Sequence, residues 1–162
     1  MLSLTRKADY GLVTMAELAR RPTQTSARQV AESVGVPLPT VTNILHELMR
    51  GGLVTSTMGS KGGYTLAKPA DGITLADMID ALEGPVKLTV CCPTEAHAER
   101  EGKSCDLSTS CRIRGPVIRV HEGIRRFLVE TTLAELAFDQ GTVSLNVEPG
   151  HPSRPVQPVD AA

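Results

Sequence analysis

All four cysteines of the chain fall between residues 91 and 111. Cys105 and Cys111 have five residues between them in a polar stretch, and Cys91 and Cys92 lie upstream as an adjacent pair. Thiolates are soft ligands suited to iron–sulfur clusters, zinc or copper(I). No apolar run approaches the roughly 20 residues that a membrane helix needs. The opening residues, MLSLTRKADYG, lack the apolar core of a signal peptide. A cytoplasmic location with no membrane partner is therefore expected, where thiols stay reduced and metal or redox chemistry is favoured over disulfides. The plain alternative for Cys105 and Cys111 is a pair of free loop thiols. No motif sets a His base or oxyanion donors beside these cysteines, so an enzyme with a reactive thiol is not expected.

The elements that must position these thiols follow from periodicity and punctuation. Residues 5–20 read as a helix with Leu12, Met15, Ala16 and Ala19 on one face. Ser26 followed by Gln29 is a capping box that starts a second helix, with Val30, Ala31 and Val34 as its stripe and Gly35 as a left-handed stop. Pro37 and Pro39 mark a third helix running to Arg50, which would bury Val41, Ile44, Leu45 and Leu48. Two short helices around a glycine turn, the second with a polar outer face, match a helix-turn-helix. Leu53–Thr57 and Tyr64–Ala67 read as strands around a glycine-rich tip in the position of a wing. Thr74 caps a helix running to Glu83. Beyond the cysteines, a longer helix begins near Pro116 or a turn earlier and reaches Glu130. Its stripe of Val117, Val120, His121, Ile124, Phe127 and Leu128 needs a partner helix. Thr132 starts a last short helix, and prolines 149, 152, 155 and 158 indicate a disordered tail.

The expected fold class is thus mostly α with a small β-wing: a winged helix-turn-helix domain over residues 1–84, a thiol-bearing loop and long C-terminal helix over 85–138, and a tail over 139–162. Aromatic residues make up only 2% of the chain, so its core must be aliphatic. The net charge of −1 does not by itself suggest nucleic acid, but its distribution does. Residues 1–70 carry eight Lys and Arg against four Asp and Glu, whereas 71–110 carry three against eight. The N-terminal part can meet phosphate and the middle cannot easily do so. On the second helix of the helix-turn-helix, Thr40, Thr42, Asn43 and His46 are candidates for base edges, with a solvated helix face as the alternative. Arg6, Lys7, Arg28, Arg50 and Lys61 read as phosphate contacts, which set affinity without reading sequence.

In order and spacing, several segments resemble the Rrf-two family of winged-helix regulators. They are Leu4 to Tyr10, Gly52-Leu53-Val54, Gly62 to Ala67, Cys105…Cys111, and Thr132 to Leu136. The resemblance spans about residues 1–138, and the family includes iron–sulfur, nitric-oxide and SUF-operon regulators. It implies a homodimer held by the long C-terminal helices, a double-stranded DNA operator, and an iron–sulfur cluster of two or four irons. It implies three cysteine ligands, Cys91, Cys105 and Cys111, with Cys92 as an extra thiol or a substitute for Cys91. In relatives with a two-iron cluster a His lies three residues after the last cysteine; here that position is Arg114, which cannot ligate. In a nitric-oxide-sensing type an N-terminal Asp of the other subunit is the fourth ligand, and Asp9 matches it. The alternative for Asp9 is a carboxylate favoured by the helix dipole. Many members carry an Arg before the wing glycine, where this chain has Met58. The implied function is a repressor-type transcriptional regulator sensing cluster status and controlling iron–sulfur assembly genes. The alternatives are a nitric-oxide or redox-stress sensor of the same family, or a zinc-stabilised regulator.

Overall fold

The computed structural model describes residues 4–59, 62–89 and 110–138. Helix α1 (Arg6–Arg20) is capped by Thr5, whose side chain accepts from the Ala8 amide. Its buried residues, Ala8, Gly11, Met15 and Leu18, recur at helical spacing and put one face into the core. Helix α2 (Ala27–Val34) opens on the Ser26–Gln29 capping box and stops at Gly35, whose φ of 69° is left-handed and favours glycine. Helix α3 (Leu38–Arg50) has Pro37 at its N-cap and Pro39 in its first turn, positions that need no amide hydrogen. It buries Val41, Ile44, Leu45 and Leu48, as the periodicity predicts.

Strands β1 (Val54–Thr57) and β2 (Gly63–Leu66) pair antiparallel, with Val54 opposite Leu66 and Thr57 opposite Gly63. This two-stranded wing is anchored towards its tip by a contact the periodicity did not signal. Thr25, just before α2, forms a bridge with Tyr64 through two backbone bonds of 3.1 and 2.9 Å. Isolated hairpins are marginal in water, so this extra pairing steadies the wing. After a short 3-10 turn at Ala70–Gly72, helix α4 (Leu75–Glu83) opens on a Thr74–Asp77 capping box. Helix α5 (Arg114–Glu130) starts two residues before Pro116, and α6 (Leu133–Phe138) closes the described part.

The core is aliphatic throughout: Met15, Val30, Val41, Ile44, Leu45, Leu48, Val54, Ile73, Met78, Leu82 and Leu133 share one cluster. Fully burying each such side chain contributes about 1.5–3 kcal/mol. Helix α1 is its hub and packs on α2, α3, α4 and α6. Although α6 follows the long helix in the chain, its Leu133 and Ala137 are buried against the N-terminal elements. A bridge between Thr74 and Thr132, with the Leu133 amide donating to the Ile73 carbonyl at 2.8 Å, stitches the chain after α5 back to the start of α4. A six-residue helix cannot hold itself together, so it forms where Leu133 finds a core to enter.

Helix α5 rests on α4 and sinks His121 to 3% exposure, the helix-packing role expected of it. Neither ring nitrogen of His121 has a hydrogen-bond partner among the described residues. The rest of the α5 stripe is only half-covered: Val117, Ile124, Phe127 and Leu128 are half-buried and Val120 is 57% exposed.

Candidate nucleic-acid interface and thiol centre

The burial of Val41, Ile44, Leu45 and Leu48 turns the opposite side of α3 to solvent. Asn43, His46 and Arg50 stand exposed there, and Thr40 and Thr42 are half-buried on its flanks. Asn43, His46, Glu47, Met49 and Arg50 line an open hollow of about 450 Å³. The Thr42 hydroxyl donates to the Leu38 carbonyl at 2.9 Å, so its proton is committed within the helix. Its oxygen lone pair and methyl group stay available, and these are what a threonine offers to a base amine or a thymine methyl.

Glu47 was absent from the residues singled out by sequence. Lys7 Nζ lies 3.0 Å from Glu47 Oε2, which links α1 to the recognition face of α3. The signal that could have found it is spacing, since Glu47 is four residues after Asn43 and three before Arg50. Arg28 is exposed in the first turn of α2, and Arg6 and Lys7 are exposed in the first turn of α1. Lys61 lies outside the described residues. At the wing tip Met58 is 99% exposed, so the residue before the wing glycine presents an apolar side chain to solvent. Gln24 Nε2 donates to Thr57 Oγ1 at 2.5 Å and ties the far end of β1 to the segment before α2.

Of the four cysteines, Cys91, Cys92 and Cys105 lie outside the described residues. Cys111 is a half-buried free thiol three residues before α5. Asp9 is exposed in the first turn of α1, and its carboxylate has no ion-pair or hydrogen-bond partner among the described residues. No group of three or more His, Cys, Asp or Glu side chains that could hold a metal occurs among the described residues. Glu83, the last residue of α4 and the start of the path toward Cys91, accepts from both the amide and the hydroxyl of Thr5 at the cap of α1.

Two carboxylates away from these sites have shifted titration. Burial favours a raised Glu17, but hydrogen bonds from Ser33 and Arg21 and the charges of Arg21 and Arg20 outweigh it and hold its carboxyl below the ordinary value. Asp80 on α4 is pushed up by burial, with Arg125 of α5, 3.9 Å away, opposing and Asp77 reinforcing the shift.

Comparison with known proteins agrees with this architecture. Residues 4–139 match the Rrf2 family, described as "Iron-dependent Transcriptional regulator". The chain is similar to CymR (YrzC), the global cysteine regulator of B. subtilis, at 32% identity and a TM-score of 0.63, over 85% of this chain and 97% of that one. It is similar to T. potens IscR at 27% identity and a TM-score of 0.61, over 83% and 85% of the two chains. It also resembles S. aureus CymR at 28% identity and a TM-score of 0.61, over 85% of this chain and all of the other. With a family match across nearly the whole described fold, a mostly helical body, a two-stranded wing and a polar face on α3, the chain belongs to the Rrf2 family of transcriptional regulators.

Proposed function

We propose that this regulator binds operator DNA as a homodimer and that an iron–sulfur cluster held by its thiols sets how firmly it binds. The observation that carries the reading is the contact between Thr5 and Glu83. It joins the end of α4, from which the cysteine segment departs, to the cap of α1, and α1 in turn holds the recognition helix through Lys7 and Glu47. A change at the end of α4 therefore has a short path of polar contacts to the DNA-facing side.

The donor set fits such a group. Cys111 is a free, partly accessible thiol at the threshold of α5, and Asp9 presents an uncommitted carboxylate. Cys91, Cys105 and Cys111 would hold the iron, with Asp9 of the other subunit as fourth ligand and Cys92 as the substitute for Cys91. Bound there, the cluster supplies a centre sensitive to oxidants, nitric oxide and iron supply. The protein's own residues do the rest. Asn43, His46, Thr40 and Thr42 face base edges, Arg28, Arg50 and Lys61 meet phosphate, and the half-covered stripe of α5 meets its copy in a second subunit. Rotation between the subunits changes the spacing of two recognition helices that must match half-sites one helical turn apart. A coupling of about 1–3 kcal/mol is enough for a genetic response. Iron–sulfur (SUF-type) assembly genes are the proposed targets, a reading supported by the similarity to IscR.

The likeness to a global cysteine regulator favours a second reading, in which the thiols respond directly to thiol or redox state. Anaerobic purification with absorption spectra, iron and sulfide counts, and gel-shift at graded salt separates the two. Wild type is expected to be coloured and to carry iron, and Cys105→Ala to lose the colour and the dependence of DNA binding on reconstitution. A colourless wild type whose DNA binding follows thiol oxidation would establish the second reading, and a zinc-loaded colourless protein would point to a structural metal. A full cluster in Cys105→Ala would overturn the ligand assignment.

A further inference from the structure

We propose that Glu47 reads a cytosine in the operator and that Lys7 holds its carboxylate in the reading position. This rests on α3 being the helix that enters the major groove. Glu47 shares a flank of α3 with Asn43 and Arg50 and lines the same hollow. Oε2 is held by Lys7 from a different helix, while Oε1 has no hydrogen-bond partner among the described residues. The rotamer is thus set by α1 before DNA arrives, and less side-chain entropy is lost on binding.

A carboxylate on a surface that meets a polyanion is repelled by phosphate, so it weakens binding unless it gains a donor. Base edges in the major groove offer amino donors only at cytosine N4 and adenine N6. Adenine sets the acceptor N7 beside its amine, which repels a group that can only accept. Cytosine has a C–H at that place. An ionised carboxylate therefore selects cytosine over adenine, and it rejects guanine and thymine, whose edges present acceptors. The guanine paired with that cytosine shows O6 and N7, which suit the neighbouring cations Lys7 and Arg50. An ion pair with no further role, by contrast, would add little, because exposed pairs of this kind are worth about 0–1 kcal/mol.

Selection of bound sites from a random-sequence duplex library tests the proposal, using the full-length wild type, Glu47→Ala, Glu47→Gln and Lys7→Met, each checked for folding by thermal melt. Wild type is expected to prefer cytosine at one position of the half-site by roughly five-fold or more. Glu47→Ala should flatten that position alone. Glu47→Gln, nearly the same shape, should move the preference to adenine, because an amide can accept from N6 and donate to N7. Lys7→Met should weaken binding across all sequences and blur the same position. If wild type selects a defined site and Glu47→Ala leaves every position unchanged, the assignment of Glu47 is overturned while DNA binding stands. If wild type selects no site at all, both readings fall together.

Discussion

Glu17 shows how a surface carboxylate earns a place between two helices. Its Oε1 accepts from Ser33 Oγ on α2 at 2.7 Å and lies 2.6 Å from an Arg21 guanidinium nitrogen. These partners hold the carboxyl below its ordinary value of 4.5 despite the opposing effect of burial. A lowered folded-state value means that the unfolded chain takes up the proton first as acid is added. The stabilisation is therefore complete above about pH 4.5 and fades as pH falls through the lowered value. Glu17→Gln should cost about 1 kcal/mol or less in urea melts at neutral pH, since Arg21 is part-exposed. The gap to wild type should close below that range; a gap that stayed constant with pH would remove the charge from the explanation. Thr42 makes the complementary point about legibility. Its residue type and place on α3 make it a candidate for a base contact, but only the fold shows that its proton is already given to Leu38.

The elements follow local rules closely enough that their limits were largely readable. Capping boxes at Ser26 and Thr74, the stop at Gly35 and the start of α3 at its prolines are short-range chemistry and need no distant partner. The wing was readable as a hairpin, but its anchor was not, because a one-residue bridge has no period. Gly63 exposes that anchor: a Cβ there would meet the backbone of Thr25 at 2.8 Å. Backbone cannot step aside as a flexible side-chain end can, so Gly63→Ala should cost about 1–3 kcal/mol. It should also weaken operator binding by displacing the wing, and the two effects can be read by thermal melt and gel-shift on one preparation. A variant with wild-type stability and binding would show that the anchor yields without consequence.

At the scale of the whole molecule, α5 is the element least covered by the other described residues. Ile113 at its N-cap, Val120 and Phe127 recur every seven residues, and the first two are exposed. A helix with such a stripe calls for a second helix, and a copy of α5 supplies the same stripe by symmetry. Val120→Asp would set like charges together at such a seam without touching the core around α1. If α5 forms the proposed seam, sedimentation should report a dimer for wild type and a monomer for the variant, and the melting temperature should lose its dependence on protein concentration. An unchanged dimer would place the seam elsewhere on the molecule.

Caps, turns, the aliphatic core and the polar side of α3 could be written down from the chain alone, because each depends on residues within a turn or two of one another. The four clustered cysteines could likewise be read, from type and spacing, as a candidate metal or redox centre. The contact of Glu47 with Lys7, the hold of Glu83 on Thr5, and the insertion of Leu133 beneath the N-terminal helices could not be read that way. Each joins residues some 40 or more positions apart along the chain. Such pairings leave no periodic trace, since they exist only once the packing of α1 against its neighbours has brought their backbones within reach.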